Sequence, residues 1–491
     1  MAADMLLLIL IVLNVIVFAY FLILNGYYLV TSITSFRALR RYARRLNSLD
    51  TEDLMEAGGA PPVALLVPAY NEAVGIVESV RSLLDLRYPE YEILVINDGS
   101  TDGTMDRLRH AFDLRPSARV RTAQLGQGRV RGLYRSRVHR SLWVIDKENG
   151  GKADALNVGL DHCQAPFFCS LDADSALERD ALLRLIRPFL ENGSTVAAGG
   201  IVRVANGSRF DQGRVVDIRL PKKWLPQLQV VEYLRAFLAG RMGWSSLDVM
   251  LIVSGAFGMF RRSAIVEVGG YASDTVGEDM ELTLRLHRHY RDADQPYEVA
   301  FVPDPVAWTE VPERAGDLGR QRDRWQRGLL QSLSKHKAML LRPKYGRIGM
   351  VAFPYFWFME GFGPVVELVG YLAFVVTIAL GWASTTYVLA FLILAVVFGT
   401  LLSVAAVALE ELVFRRYQHP GDFSRMLALS VIENFGYRQM LAFWRFRGVV
   451  SAVLGRQEWG RMERRGVIRT TDEVEWGEPS ASTSSAVEVT V

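Results

Sequence analysis

An apolar stretch over residues 5–30, followed at once by Arg37, Arg40, Arg41, Arg44 and Arg45, constrains this chain more than any other feature. A helix needs about 20 apolar residues to cross the hydrocarbon core of a bilayer. The stretch is too long for the core of a cleavable signal and has no basic segment before it, so it reads as a retained anchor. Arginines gather on the cytoplasmic side of membrane helices, which places the N-terminus outside and the following residues inside. Two more stretches, 363–382 and 387–409, are joined by a short Ala-Ser-Thr turn and followed by Arg415 and Arg416. They read as an out-and-back hairpin. Residues 348–359 are dense in Phe, Tyr and Trp, and residues 427–454 carry Glu433, Arg438, Arg445 and Arg447. Aromatic density and spaced charges suit helices lying in the membrane interface, the alternative being a channel-lining span.

Composition agrees: half of the 491 residues are hydrophobic, and the mean hydropathy of +0.14 is too apolar for a simple soluble chain. The net charge of +3 comes with no basic cluster interleaved with aromatics, so a nucleic-acid partner is not expected. Cys163 and Cys169 flank an Ala-Pro-Phe-Phe run and lack the spacing of a zinc site. They read as buried thiols in a reducing compartment.

Four regions follow: an anchor with its basic flank (1–46), a hydrophilic block (51–343), interfacial and transmembrane helices (344–469), and an acidic, Ser/Thr-rich tail (470–491). The tail cannot bury enough apolar surface to fold alone and is expected to be disordered. The block, flanked by arginines on both sides, is expected in the cytosol. Its elements begin strand, helix, strand, helix, the order of an α/β sheet.

The block's first strand, residues 62–67, runs into Pro68-Ala69-Tyr70-Asn71-Glu72 and a helix with Ile76, Val80, Leu83 and Leu84 on one face. The second, from Tyr91, enters Asn97-Asp98-Gly99-Ser100-Thr101-Asp102-Gly103. Ligands of parallel α/β sheets sit beyond the carboxyl ends of the strands, which suits Asp98 to a nucleotide, although Asn-Asp-Gly is also ordinary turn chemistry. Further on, Asn149-Gly150-Gly151-Lys152 opens a helix, and a strand over 167–171 delivers Asp172-Ala173-Asp174. Two carboxylates at one strand end supply oxygen ligands suited to Mg²⁺ or Mn²⁺ bridging a diphosphate, though a bare Asp-x-Asp is also common on surfaces.

A small-residue loop, Val253-Ser254-Gly255-Ala256-Phe257-Gly258, precedes Thr275-Val276-Gly277-Glu278-Asp279, which opens a helix through Leu282, Leu284 and Leu286. A carboxylate there is either a helix-terminal partner or a general base taking the proton of an attacking hydroxyl. In Gln321-Arg322-Asp323-Arg324-Trp325, residues 321, 324 and 325 share one helical face while Arg322 and Asp323 point elsewhere. An amide, a guanidinium and an indole suit a diphosphate and a sugar ring, or else an interfacial anchor.

Taken in order, Pro-Ala-Tyr-Asn-Glu, Asn-Asp-Gly-Ser, Gly-Gly-Lys, Asp-Ala-Asp, Gly-Glu-Asp and Gln-Arg-Asp-Arg-Trp resemble the processive membrane glycosyltransferases of family 2, which include cellulose, hyaluronan, chitin and poly-N-acetylglucosamine synthases. The resemblance covers residues 62–330 and the flanking apolar helices. It implies a Rossmann-like nucleotide-sugar transferase domain of the GT-A type, with Tyr70, Glu72, Asp98 and Lys152 at the nucleotide. It further implies Asp172 on the diphosphate side, Asp174 on the metal and Asp279 as base. Gln321 and Arg324 would hold the diphosphate and Trp325 would stack on the acceptor sugar, with Ser254, Gly255 and Glu278 beside them.

The implied reaction is inverting transfer from UDP-N-acetylglucosamine or UDP-glucose to a β-linked polysaccharide in the cell membrane, coupled to export through the chain itself, a partner or an oligomer. N-acetylglucosamine is favoured because residues 254–270 resemble those synthases more closely. The alternative is addition of one sugar to a lipid carrier, against which the Gln321, Arg324 and Trp325 face argues. A nicotinamide-binding enzyme is a weaker rival, since Gly126, Gly128 and Gly132 miss the dinucleotide spacing. Two departures stand out: Gly277 replaces a threonine common in the family, and the tail is too short for a nucleotide-sensing β-barrel domain.

Overall fold

The computed structural model describes residues 2–46, 59–211 and 214–456. The acidic tail at 470–491 and the first residues of the hydrophilic block lie outside them.

Twelve strands are described: β1 Val63–Ala69, β2 Tyr91–Asp98, β3 Leu114–Pro116, β4 Val130–Ser136, β5 Leu142–Lys147, β6 Phe167–Leu171, β7 Ala176–Leu177, β8 Thr195–Val204, β9 Arg209–Asp211, β10 Arg214–Asp217, β11 Phe257–Arg261 and β12 Glu298–Thr309. Ten form one sheet in the order β3-β4-β5-β2-β1-β6-β11-β8-β12-β7, and β9 and β10 pair separately. The centre is parallel, with β1 between β2 and β6. β11 then enters antiparallel between β6 and β8. Val63–Val67 and Ile93–Ile96 are completely buried, which is why these strands read as unbroken apolar runs instead of alternating ones.

Eleven helices matter for the site: α1 Ala2–Leu46, α2 Ile76–Leu84, α3 Thr104–Phe112, α4 Lys152–His162, α5 Trp224–Tyr233, α6 Glu278–Asp292, α7 Ala315–Lys335, α8 Gly363–Ala379, α9 Thr385–Val413, α10 Asp422–Ile432 and α11 Tyr437–Val453. α2 buries Ile76, Val80 and Leu83, three and four residues apart, as its apolar face requires. α4 packs on β1 and β2. Cys163 and Cys169 are buried and free, burial pushing the Cys163 thiol up to about 12.

Among the described residues, α1 and α9 are long and apolar enough to cross a membrane. Helical residues 348–361 and α8 make a third such element only if their 45° bend is counted within one span. Within residues 427–454, Glu433, Arg438 and Arg445 turn inward, whereas Arg447 is exposed. The segment breaks at Gly436, whose φ of +93° favours glycine, and Glu433 accepts hydrogen bonds from Ser403 of α9 (2.5 Å) and Arg438 of α11 (2.7 Å). Arg445 reaches Glu360 at 2.7 Å. Glycine lets α11 lie close along α7, since a Cβ on Gly448 would come within 2.7 Å of the Asp323 carbonyl.

The sheet is tied to α9 by a two-pronged ion pair. Arg203 of β8 donates to both carboxylate oxygens of Glu410 at 2.8 and 2.6 Å, and both side chains are at most 2% exposed. A second tie fixes α6. His287 donates from Nε2 to the Met250 carbonyl, and the Tyr297 hydroxyl donates to Nδ1, both at 2.8 Å. This arrangement requires the neutral ring, and burial depresses its pKa to about 4.

A depressed histidine stabilises the fold fully above its unfolded value of about 6.5, and the contribution is lost as pH falls towards 4. Because the unfolded chain binds the extra proton in that window, thermal stability should drop between pH 6.5 and 4.5, by at most about 3 kcal/mol. His287→Gln should flatten the fall. Parallel midpoint-versus-pH curves for the two proteins would remove His287 from this role.

Candidate active site

The loop after β2 organises the site from below. The carboxylate of Asp98, itself buried, accepts the amides of Gly150 and Gly151 at 2.9 and 2.8 Å and pairs with the ammonium of Lys147. Lys147, fully buried, also pairs with Asp154 at 2.8 Å. These bonds fold Asn149-Gly150-Gly151 into the turn that starts α4, and Gly151 takes a φ of +85° there. α4 therefore begins with Lys152 projecting past the end of the sheet.

Lys152 Nζ lies 2.6 Å from Asp172 and 3.4 Å from Glu278. Burial works to lower its pKa, but the fields of Asp172, Glu278 and Asp279 outweigh it and raise the value. Burial raises the Glu278 carboxyl; Lys152 opposes the rise and Asp279 adds to it. Gly277 occupies the cap position of α6 without a side-chain contribution. Asp279 accepts the Met280 amide at 2.8 Å and the Gly255 amide at 3.1 Å, so its carboxylate joins the start of α6 to the Ser254 loop.

These groups face one cavity of about 550 Å³, lined by Lys152, Asp172, Asp174, Ser254, Gly255, Glu278, Asp279, Gln321, Arg324 and Trp325. The same cavity is lined by Tyr28, Glu367, Tyr371, Leu394 and Arg438 from α1, α8, α9 and α11. Tyr70, Glu72 and Asp98 are outside this lining. Tyr70 is exposed at the end of β1, and the Glu72 amide donates to Thr104 at 2.9 Å.

On α7, Gln321 is buried and Trp325 is 40% exposed. Arg322 does not point away as its helical position suggests. α7 is enclosed by α6 and α11, so the guanidinium bends beneath the Trp325 ring, 4.2 Å from its centroid, and reaches Glu232 at 3.0 Å. Asp323 does turn away, to Arg327 (2.8 Å) and Ser451 (3.1 Å). Arg241 also lines the cavity; burial lowers its pKa to about 10 against the pull of Asp279. Its one sequence signal is an arginine inside the apolar run 234–244. Glu232 and Glu360 likewise interrupt apolar runs.

α6 and α7 meet at two glycines. A Cβ on Gly277 would lie 2.9 Å from the Gly328 Cα, and the reverse distance is the same. The crossing leaves no room for a side chain at either position.

Among the described residues, no group of three or more His, Cys, Asp or Glu could hold a metal by itself. Asp172 and Asp174 nonetheless share the cavity, and Mg²⁺-type sites take one or two carboxylates with the remaining oxygens from water and phosphate. The donor set fits a divalent ion that arrives with a diphosphate.

The sequence is 28% identical over 310 residues to the poly-beta-1,6-N-acetyl-D-glucosamine synthase of Staphylococcus epidermidis. It is 27% identical over 310 residues to that of Staphylococcus aureus strain N315. Each alignment takes in 63% of this chain and 63% of the relative, so the chain spans just under two thirds of the length of these proteins. The fold is similar to that of a mannosyltransferase from Pyrobaculum calidifontis in complex with GDP-Man and Mn²⁺, with a TM-score of 0.53 and 18% identity over 88% of this chain and all of the other. The architecture is thus a GT-A-like mixed α/β fold. Residues 61–328, more than half of the chain, match the family described as glycosyltransferase like family 2, and the chain belongs to that family.

Proposed function

We propose that the protein is an inverting, metal-dependent hexosyltransferase that extends a β-linked polysaccharide from a UDP-sugar at the cytoplasmic face of a cell membrane. The observation that carries this reading is the shared cavity. Acids, a lysine, an amide, a guanidinium and an indole from the sheet domain line the same space as residues of the apolar helices. A product made there would leave beside α8 and α9. The relatives named above polymerise N-acetylglucosamine, which favours UDP-N-acetylglucosamine over UDP-glucose as donor.

Asp279 takes the proton of the acceptor hydroxyl. Its carboxylate is oriented by the Gly255 and Met280 amides, so little reorganisation is needed at transfer. The acceptor oxygen bonds to the anomeric carbon as the bond to the diphosphate oxygen breaks on the opposite face, and UDP leaves. Gln321 and Arg324 hold the diphosphate, Arg324 through paired N–H donors. Trp325 carries the acceptor ring, with Arg322 stacked beneath it. Tyr70 and Glu72 border the nucleotide. Asp98 acts there by folding the turn that presents Lys152.

Asp174, with Asp172 beside it, would hold the Mg²⁺ or Mn²⁺. A bound divalent ion offsets charge on the departing diphosphate.

The proposed division has an anchor at 1–46, the transferase at 51–343 and interfacial and transmembrane helices at 344–469. Arg37, Arg40, Arg41 and Arg44 at the end of α1 support a cytoplasmic transferase side.

Purified full-length protein supplied with Mn²⁺ and each UDP-sugar in turn should release UDP and form high-molecular-weight product from one donor. Short or lipid-linked product would instead identify a single-sugar transferase. EDTA should abolish turnover, restored by Mg²⁺ or Mn²⁺; full activity in EDTA would refute the metal requirement. Asp279→Asn should keep donor binding and lose elongation by about 10²–10⁴-fold, and retained elongation would exclude Asp279 as base. Trp325→Ala should shorten the polymer and raise the acceptor requirement with donor KM little changed. An unaltered product length would take Trp325 out of acceptor handling.

A further inference from the structure

A second concavity lies away from the candidate active site, between α1 and α9. This groove of about 1170 Å³ is lined by arginines of α1 and by Leu401, Ala405, Ala408 and Leu412 of α9. We infer that it binds an anionic phospholipid, headgroup on Arg37, Arg40, Arg41 and Arg44 and acyl chains along α9. The inference rests on the membrane placement proposed above.

The arginines fall at i, i+3, i+4 and i+7, one face of the helix, and all four are exposed. A general preference for positive charge on the inner side does not require a single face. Arg40 lies over the Phe36 ring at 4.3 Å. The side chains of Arg37, Arg41 and Arg44 form no ion pair or hydrogen bond with another described residue. Four guanidinium groups beside one another thus await an anion, and forked donors suit phosphate oxygens.

Towards the membrane the same helix face continues as Leu29 and Ile33, which also line the groove. Opposite stands an apolar stripe of α9, residues 401, 405, 408 and 412, again at helical spacing. Charge at one end and hydrocarbon at the other match a lipid in the cytoplasmic leaflet, and basic pockets between membrane helices commonly take anionic headgroups. The occupant would brace elements that reach the site. Behind the arginines, Ala38 and Leu39 are buried in the core shared with the sheet, and α9 is joined to β8 through Glu410 and Arg203.

The test uses full-length protein in phosphatidylcholine vesicles with and without phosphatidylglycerol, reading flotation, lipid retained by native mass spectrometry, and sugar transfer. Wild type should float with neutral vesicles, retain phosphatidylglycerol selectively and work faster in its presence. Arg37→Gln, Arg41→Gln and Arg44→Gln should each weaken retention by about fivefold. Ala408→Phe, which fills the groove and keeps every charge, should also lose it.

Failure to float with neutral vesicles would overturn the membrane reading itself. Flotation without selective retention would overturn the lipid site alone. Loss in the arginine variants with full retention in Ala408→Phe would mean diffuse surface attraction and no groove site. Displacement of phosphatidylglycerol by an equal concentration of inorganic phosphate would show a phosphate site that needs no lipid.

Discussion

Asp172, Glu278 and Asp279 stand close together among the carboxylates that line one cavity, and taking like charges out of water together is costly. Lys152 makes the arrangement tolerable by standing 2.6 Å from Asp172 and 3.4 Å from Glu278. The position of that ammonium depends in turn on the turn before α4, which exists because Asp98 gathers two backbone amides and the buried Lys147. A line of dependence thus runs from the end of β2 to the cavity. Asp98 serves the site without lining the cavity, and its ordinary turn chemistry and its functional value are the same fact.

The joint between the sheet and the apolar helices follows a similar logic. Arg203 with Glu410, Arg445 with Glu360, and Arg438 with Glu433 are ion pairs held largely out of water. Such pairs contribute little net stability because desolvation offsets attraction. They are selective, however, since any sliding of α9 or α11 would strand a buried charge. Of these, Arg445 also donates to Gln326 of α7 at 2.9 Å, and α7 carries Gln321, Arg324 and Trp325. Gln326 tightens this junction by donating to the carbonyls of Glu360 and Gly361 at 2.9 and 2.7 Å.

What could be read from the sequence was local. β1, β2 and β6 are buried runs, α2 shows its apolar face, and the Asp172 and Asp174 pair falls directly after β6, so strands, helix and acids were all visible in short windows. The insertion of β11 antiparallel between β6 and β8 had no such trace, because its partners are about 60 to 90 residues away in the chain. Glu433, Arg438 and Arg445 were legible as charges, but their turning inward depended on acids at 360 and 433 meeting arginines across helices. Arg322 was misplaced for a related reason: helical spacing gives the direction of a Cα–Cβ bond, and a long guanidinium bends to find Glu232. Arg241 was missed because a buried arginine looks like any other until its neighbours are known.

Gly277 shows how a departure from a familial pattern can be structural. A threonine there would offer a hydroxyl near the acids; this chain has instead a backbone-to-backbone crossing with Gly328. The close crossing sets the distance between the start of α6, with Glu278 and Asp279, and α7, with Gln321 and Trp325. Ser332 of α7 donates to the Gly277 carbonyl at 3.3 Å, and the Val276 amide donates to Gln331 at 3.0 Å, so the contact is held on both sides. With Asp279 proposed as base on one helix and Trp325 as acceptor platform on the next, that separation has to be fixed to a fraction of an ångström. Two facing glycines achieve this with backbone alone, leaving no side-chain rotamer to vary between the groups that must meet.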